Sequence, residues 1–292
     1  MIRKEEQLLS QVRAHCPDLA WRHSQLNQEG QYNDILILDQ AWVFRFARNA
    51  PAAATLRHEQ QLLTQIGARL PLPTPQPSHA YLSPAAGEQP FVGYPYISGE
   101  PLWLERFAAI QNETIYAQLA ADLAGFLQVL HTIPPANLGL STNTVAEAEP
   151  EWRDLYQRIE QKLFEYMNPR AQAAVAAHFG DYFQNPARFA FTPAVRHGDF
   201  GSGNILFDPK TGTISGILDF AFTGVGDPAV DFAGLQRFGP EFYRQCASYY
   251  PAMLTAEVRI DFYGGTFALQ EALFGLEHDD PAAFAAGIET YR

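Results

Sequence analysis

Three oxygen-bearing side chains stand close together in one stretch of this 292-residue chain. Asp199 and Asn204 are five residues apart in a glycine-rich segment, and Asp219 follows fifteen residues later. Carboxylate and amide oxygens are hard ligands of the kind that Mg²⁺ prefers. Phosphoryl transfer requires one carboxylate to orient or deprotonate the attacking hydroxyl and further oxygens to hold the metal that bridges the phosphates. The stretch therefore predicts Asp199 as the catalytic base and Asn204 and Asp219 as metal ligands.

A β-hairpin is predicted to position these side chains. Apolar runs at 205–207 and 214–218 flank a turn at 208–212 that contains one proline and one glycine, a pattern typical of chain reversal. Asn204 and Asp219 would then lie at the open end of the hairpin. Taken singly, an Asp or Asn is more often a turn or cap residue, but the ordered set of three favours the catalytic interpretation.

The order of these residues resembles a known catalytic loop. The segment His197-Gly-Asp-x-x-x-x-Asn, followed by Ile217-Leu-Asp-Phe, is similar to the catalytic loop and metal-binding segment of the aminoglycoside phosphotransferase family. The resemblance implies an α+β, protein-kinase-like fold of two lobes. Residues 1–97 would form a nucleotide-binding lobe, a five-stranded antiparallel sheet with a helix. Residues 98–292 would form a larger, mostly helical catalytic and substrate-binding lobe, with the nucleotide lying between the two.

The N-terminal residues offer candidate contacts to the phosphates. Arg45, on a strand predicted from Trp42, stands where the resemblance implies a lysine that contacts the α- and β-phosphates. Arginine keeps the charge of lysine but differs from it in geometry. Glu59 lies on the apolar face of a helix predicted over Ala52–Ile66, where it either pairs with Arg45 or extends to solvent from the helix edge. A turn at Gly30 either covers the phosphates or is an ordinary hairpin turn.

A strand over 90–97 is predicted to end the first lobe. By resemblance this strand leads into the hinge that contacts the nucleotide base through backbone groups. Pro95 has no N–H, so the resemblance implies Tyr96 and Ile97 for these contacts. Beyond the hinge the chain is predicted to be mainly helical, with helices over 112–131, 151–166 and 171–183 and a polar linker over 141–150.

Three further residues are expected to support the catalytic loop. His197 precedes Asp199 by two residues and is predicted to brace the loop by hydrogen bonding rather than to react. Asp227 is predicted to cap a helix that begins at Pro228. By resemblance, Asp231 anchors the catalytic loop.

The formal net charge of −12 is unevenly distributed. Residues 1–97 hold eight Lys or Arg and eight Asp or Glu, whereas residues 98–292 hold 12 and 24. This argues against a nucleic-acid partner and favours a cationic small-molecule acceptor, for which Glu271, Glu277, Asp279 and Asp280 are candidate contacts. The chain begins without an apolar leader and contains no run of 18 apolar residues. We therefore expect no membrane association and a cytoplasmic location.

The resemblance implies a kinase that transfers the γ-phosphoryl group of ATP or GTP to a hydroxyl of an aminoglycoside antibiotic, with Mg²⁺ as cofactor. The chain looks most similar to the branch that modifies the 2″-hydroxyl, although Gln236 and Arg237 stand where that branch carries an acidic cluster. A macrolide kinase and a metabolic kinase of a small alcohol share the same catalytic set and are alternatives. A nucleotide-binding module without catalysis is a further alternative, because Arg45 replaces lysine.

Overall fold

The structure is a computed structural model that describes residues 4–28, 32–136, 138–140 and 145–292. It divides into two compact units. The first unit comprises Met1–Arg106 and Ser202–Thr223, and the second comprises Phe107–Gly201 and Gly224–Arg292. The division into functional lobes at residues 97 and 98 stays a prediction.

The described residues form helices and strands in the following order. The helices are α1 Lys4–His15, α2 Ala50–Ile66, α3 Leu104–Ala108, α4 Glu113–Thr132, α5 Val145–Leu163, α6 Pro169–Phe183, α7 Ala229–Gln236, α8 Pro240–Tyr249, α9 Glu257–Gly264, α10 Phe267–Glu277 and α11 Pro281–Ile288. The strands are β1 Ser24–Asn27, β2 Asn33–Leu38, β3 Trp42–Ala47, β4 His79–Tyr81, β5 Phe91–Pro95, β6 Glu100–Pro101, β7 Ala194–Arg196, β8 Ile205–Asp208, β9 Thr213–Ile217 and β10 Gly224–Gly226.

The main sheet of the first unit is antiparallel, with the strand order β1-β2-β3-β5-β4. Successive side chains of a strand point to opposite faces, and here both faces are covered. Phe44 and Phe46 of β3 pack with Leu8 of α1, whereas Val43 packs with Leu56 of α2. This arrangement confirms the predicted five-stranded sheet. Arg45 is two residues from Val43 and therefore lies on the same face of the sheet, the one covered by α2.

Local sequence explains where α2 begins and what it buries. The Asn49 side chain accepts the amide of Ala52 at 2.9 Å, and Pro51 occupies the first turn of the helix, as is common at helix N-termini. One face then buries Leu56, Glu59 and Leu63 at helical spacing. A carboxylate is therefore carried into an apolar interface, where it requires a partner.

The predicted hairpin is confirmed. β8 and β9 pair in antiparallel register, and β6 joins β8 on its other edge. Asp208 closes the turn by accepting the amides of Lys210 at 2.9 Å, through its side chain, and of Gly212 at 2.8 Å, through its carbonyl. Gly212 has φ 72°, a left-handed conformation that glycine adopts at little cost. Asn204 and Asp219 therefore lie at the open end of the hairpin, opposite its turn.

The second unit is built largely of helices, together with the short β7–β10 ladder. The apolar stripe of α4 is buried, with Leu123, Phe126 and Leu130 fully covered. The linker predicted over 141–150 is wrong for its second half, because α5 begins at Val145 and contains Pro150. Among the described residues, none of the helices combines the length and the apolar character needed to cross a bilayer.

Candidate active site

The open end of the β8–β9 hairpin brings two predicted metal ligands together within the first unit. The amide of Leu218 donates to the carbonyl of Asn204 at 2.8 Å, which extends the ladder by one step beyond the strands. Asp219, the residue after Leu218, is therefore close to Asn204. Asp219 has φ 62°, a left-handed conformation that Asp tolerates better than most residues but that still carries strain. The backbone leaves its strand at this point, and the Asp219 side chain remains 39% exposed.

Arg45 and Glu59 form a buried ion pair in the same unit. The Nη1 atom of Arg45 lies 2.7 Å from Oε1 and 2.6 Å from Oε2 of Glu59. Glu59 Oε1 also accepts the amide of Phe220 at 3.1 Å. The other guanidinium nitrogen of Arg45, Nη2, is 3.8 Å from Oδ1 of Asp219. The predicted pair of charges is thus linked directly to the segment that carries a predicted metal ligand.

Burial and charge act in opposite directions on this pair. Burial alone would lower the pKa of Arg45, but the adjacent Glu59 carboxylate raises it above its ordinary value. Burial raises the pKa of the Glu59 carboxyl, with the charge of Arg45 opposing the rise and that of Asp219 adding to it. Arg45 therefore keeps a permanent positive charge in a site from which water is largely excluded. An electrostatic interaction is stronger in such surroundings than in water.

Tyr94 is a neighbour of Arg45 that the sequence analysis missed. It lies on β5 two residues beyond Val92, the residue opposite Arg45 in the sheet. Burial raises the pKa of Tyr94 to about 12, although a side-chain hydrogen bond with Arg45 acts against this rise. The phenol therefore stays neutral and is a hydrogen-bonding partner for the guanidinium. Diagonal cross-strand proximity was the available signal, but it required the register of the sheet.

The loop predicted to be catalytic lies in the second unit and follows β7. His197 is fully buried, and the amide of Asp199 donates to its Nδ1 atom at 3.3 Å. The carbonyl of Asp199 accepts the amide of Gly201 at 2.9 Å. Gly198 has φ 87°, a conformation that favours glycine. His197 thus makes the loop-bracing contact expected of it, and the backbone on both sides of Asp199 is fixed.

Asp231 holds this loop from helix α7. Its Oδ2 atom accepts the amide of His197 at 2.7 Å, and Oδ1 accepts the amide of Gly198 at 2.8 Å. His131 Nε2 lies 3.0 Å from Oδ2. Burial alone would raise the pKa of Asp231, but hydrogen bonds from His131 and the Gly198 amide lower it. From the sequence His131 is only the end of a predicted helix, since no local signal connects it with Asp231, 100 residues away.

Asp227 has a larger structural role than a helix cap. Its Oδ1 atom accepts the amide of Ala229 at 3.0 Å, and α7 begins at Ala229 rather than at Pro228. Its Oδ2 atom accepts from Arg259 Nε at 2.7 Å and from the Tyr263 hydroxyl at 2.8 Å. Both partners lie on α9. The sequence does not predict these partners, because periodicity shows that a helix face is buried but not which residues it contacts.

The structure bears on one of the predicted nucleotide contacts, that of the Tyr96 amide. The amide of Tyr96 donates to the carbonyl of Ala41 at 2.8 Å, so this N–H is already used within the first unit. The prediction that the Tyr96 N–H donates to a nucleotide base is therefore wrong. Contacts through the Tyr96 carbonyl and the Ile97 backbone stay predictions. Gly30 lies outside the described residues.

The four acidic residues predicted to contact an acceptor have different surroundings. Glu277 pairs with Arg158 and, at 2.7 Å, with Lys162. Asp280 caps α11 by accepting the amides of Ala282 and Ala283, both at 3.1 Å. Structural contacts therefore account for these two carboxylates. Glu271 and Asp279 are exposed, and their contact with an acceptor stays a prediction.

A cavity of about 390 Å³ in the second unit was not anticipated. Its lining includes Gln236, Glu257 and Asp261, and Gln236 Nε2 donates to Asp261 Oδ1 at 2.7 Å. Gln236 stands where the resemblance implies an acidic residue. Here the carboxylates come instead from α9, which follows later in the chain.

The donor set of the hairpin suits Mg²⁺. The described residues contain no cluster of three or more His, Cys, Asp or Glu side chains arranged to bind an ion. Mg²⁺ does not need such a cluster, because it commonly takes one or two protein oxygens and completes its octahedron with phosphate and water oxygens. Asn204 and Asp219 therefore fit a metal that arrives with a nucleotide.

Comparisons with known proteins show the family and the fold of the chain. A model of the phosphotransferase enzyme family matches residues 24–262. Viomycin phosphotransferase from Streptomyces vinaceus is 30% identical, over 90% of this chain and 91% of its own length.

Two solved structures share the fold. An aminoglycoside 2″-phosphotransferase in complex with GDP and kanamycin has a TM-score of 0.86 at 23% identity, covering 97% of this chain and 96% of its own. Macrolide 2′-phosphotransferase type I has a TM-score of 0.76 at 22% identity, covering 99% and 98%. The predicted kinase-like fold is confirmed. The interpretation as a binding module without catalysis is not favoured. The chain belongs to the phosphotransferase enzyme family and is an enzyme that transfers a phosphoryl group to an alcohol.

Proposed function

We propose that this enzyme transfers the γ-phosphoryl group of ATP or GTP to a hydroxyl of a cationic antibiotic, with an aminoglycoside 2″-hydroxyl as the first candidate. In this proposal Asp199 orients the acceptor hydroxyl and takes its proton. Asn204 and Asp219 would hold Mg²⁺, which when bound would supply positive charge that stabilises the phosphates during transfer.

The linked contacts of Arg45 support the nucleotide part of the proposal. The guanidinium is paired with Glu59 on one side and lies 3.8 Å from Asp219 on the other. A triphosphate with its metal brings both negative charge for Arg45 and a cation for Asp219. Such a ligand satisfies both groups at once, which a neutral ligand cannot do. The solved relative that contains GDP is in keeping with a nucleotide at this site.

The charge of the second unit supports a cationic acceptor, and this observation carries the proposal. That unit holds 10 Lys or Arg against 20 Asp or Glu, whereas the first holds 10 against 12. Asp227 and Asp231 are buried in the second unit, but Glu257 and Asp261 are exposed at the cavity beside Gln236, whose lining also contains one cation, Arg244. A surface with a net negative charge raises the local concentration of a cationic substrate. The cavity is therefore our candidate for the acceptor site.

Relatives narrow the acceptors worth testing. The viomycin enzyme is a relative at 30% identity, and a solved relative contains kanamycin. Viomycin and kanamycin therefore belong in a first panel, together with gentamicin, a macrolide and simple amino alcohols. The macrolide represents the alternative in which the acceptor is recognised mainly by apolar contact.

The test is product analysis by mass spectrometry after incubation with Mg²⁺ and either ATP or GTP. We expect an acceptor from the cationic group to gain one phosphoryl group, and fragmentation locates the modified hydroxyl. An Asp199→Asn sample run in parallel shows whether the product depends on the proposed base. Phosphorylation of the macrolide alone would contradict the acceptor class. Phosphorylation of a cationic acceptor at another hydroxyl would reject only the 2″ assignment.

A further inference from the structure

Helix α7 approaches the catalytic loop more closely than a side chain would allow. A Cβ atom built on Gly234 would lie 2.2 Å from the carbonyl oxygen and 3.0 Å from the carbonyl carbon of Phe200. Phe200 directly follows Asp199. Glycine in the middle of a helix is unfavourable relative to alanine, so its presence in α7 has a steric reason: only glycine lets the helix lie against this carbonyl.

The side chain of the same residue is also held. The ring of Phe200 stacks on Phe126 of α4, with ring centroids 5.7 Å apart and planes 11° apart. Both rings are buried. One turn before Gly234, Asp231 accepts the amides of His197 and Gly198. The backbone is therefore fixed immediately before and immediately after Asp199.

We propose that Gly234 and Phe126 are positioning residues that clamp Phe200 and thereby set where the Asp199 carboxylate stands. This inference rests on the proposed role of Asp199 as the hydroxyl-orienting base. Neither residue touches the substrate in this account. A displacement of about 1 Å at a reacting group can cost on the order of 10²-fold in rate, and a methyl group at Gly234 requires a displacement of that order.

The primary test is Gly234→Ala, with two matched controls in the same unit. Gly287→Ala introduces a similar clash, 2.4 Å from the carbonyl oxygen of Ala268, but at the packing of α11 on α10. Gly180→Ala adds a methyl group to α6 where no atom lies within 4 Å. We measure kcat per folded molecule, the KM for the nucleotide and the melting temperature of each variant.

We expect Gly234→Ala to lower kcat by about 10-fold or more while the nucleotide KM stays within about twofold. Gly287→Ala should lower the melting temperature but keep kcat, and Gly180→Ala should change neither. A folded Gly234→Ala enzyme with the kcat of the parent overturns the proposal. Equal losses of kcat in Gly234→Ala and Gly287→Ala would overturn it too, because they would indicate a general packing effect.

A second variant decides the matter if Gly234→Ala does not fold. Phe126→Leu removes the ring under Phe200 and leaves α7 unchanged. We expect a several-fold lower kcat at an unchanged nucleotide KM, and a normal kcat in folded Phe126→Leu overturns the proposal. Asp199→Asn separates the two levels of inference: if that variant keeps turnover, the proposed base is wrong, whereas its loss beside a fully active Gly234→Ala rejects only the clamp.

Discussion

Glu59 in the first unit and Asp231 in the second are both buried carboxylates, yet they are held in different ways. Asp231 accepts two backbone amides and faces His131, so its partners come from the loop it fixes and the helix behind it. Glu59 accepts one amide and is otherwise paired with the guanidinium of Arg45. Burial raises the pKa of Glu59, whereas hydrogen bonds lower that of Asp231 in spite of its burial.

The difference is one of role: Asp231 fixes the backbone of a loop, whereas Glu59 fixes the charged side chain of Arg45. The donors around Asp231 belong to the protein, and their geometry is complete without a ligand. Glu59 instead fixes Arg45, whose second nitrogen lies toward a half-exposed Asp219. We therefore expect changes at Asp231 to appear mainly as lost stability, and changes around Arg45 to appear mainly as lost nucleotide binding.

The largest effect should follow removal of the Asp219 carboxylate. Asp219→Ala deletes a proposed Mg²⁺ ligand, so Mg²⁺-dependent nucleotide binding should weaken by on the order of 10²-fold. Calorimetric titration with Mg²⁺ and nucleotide measures this, and the same titration without metal is the control. Parent-like affinity with metal present would show that Asp219 is only a turn residue and that the ligand-holding side of the comparison is wrong.

Asp231→Asn should test the role of Asp231 in fixing the backbone of the loop. It leaves two amides facing an amide group that carries donors of its own, so we expect a loss of about 3 kcal/mol in the free energy of unfolding at pH 7. The pKa of Asp231 is lowered on folding. The stabilisation is therefore complete above the unfolded pKa of about 3.9 and is lost as the pH falls through the folded value.

Denaturant unfolding from pH 7 to pH 3 measures that dependence. The difference between the parent and Asp231→Asn should be constant above about pH 5 and shrink as the pH falls below about 4. Asp181→Asn is a matched control, because Asp181 is an exposed carboxylate of α6 in the same unit and its loss should change stability little. A difference that does not vary with pH would mean that Asp231 does not act through its charge.

Arg45 variants should have a smaller and more specific effect. Arg45→Ala removes the cation but leaves Glu59 buried, so nucleotide KM should rise by about 10-fold with some loss of stability. Arg45→Lys keeps the charge and loses the fork, and activity should fall only a few-fold. Steady-state kinetics with varied nucleotide distinguish the two. If Arg45→Ala leaves the nucleotide Kd unchanged, the pair is structural in the same sense as Asp231.

The smallest effect concerns the approach of the acceptor. For a cationic acceptor, kcat/KM should fall as salt rises from about 0.01 to 0.15 M. The double variants Glu257→Gln with Asp261→Asn, and Glu271→Gln with Asp279→Asn, should flatten this decline if those residues attract the acceptor. Glu289→Gln, an exposed carboxylate outside the cavity, is the control. The absence of any salt dependence after correction for nucleotide binding would reject a cationic acceptor.

Residues whose role depends on local pattern could be predicted from the sequence. The hairpin followed from two apolar runs around a proline and glycine turn, and helical spacing put Glu59 on the apolar face of its helix. Pairing with Arg45 was one of two alternatives for that carboxylate, the other being extension to solvent from the helix edge. The short range of these relations explains the success, since turn chemistry and periodicity act over a few residues.

Residues whose role depends on distant packing could not be predicted. His131 meets Asp231 across 100 positions, and Arg259 meets Asp227 across 32. A buried stripe on a helix indicates that a partner exists without saying which. The Tyr96 amide was misjudged for a related reason, because the extension of the β3–β5 ladder to Ala41 is set by register rather than by composition.

The most direct measurement of the central claim is the turnover of Asp199→Asn with the acceptor that the product analysis identifies. The substitution keeps the shape of the side chain and removes its ability to take a proton. We predict a kcat lower by on the order of 10²-fold or more, with an unchanged nucleotide Kd and a parent-like melting temperature. Near-normal turnover in the folded variant would contradict the assignment of Asp199 as the base.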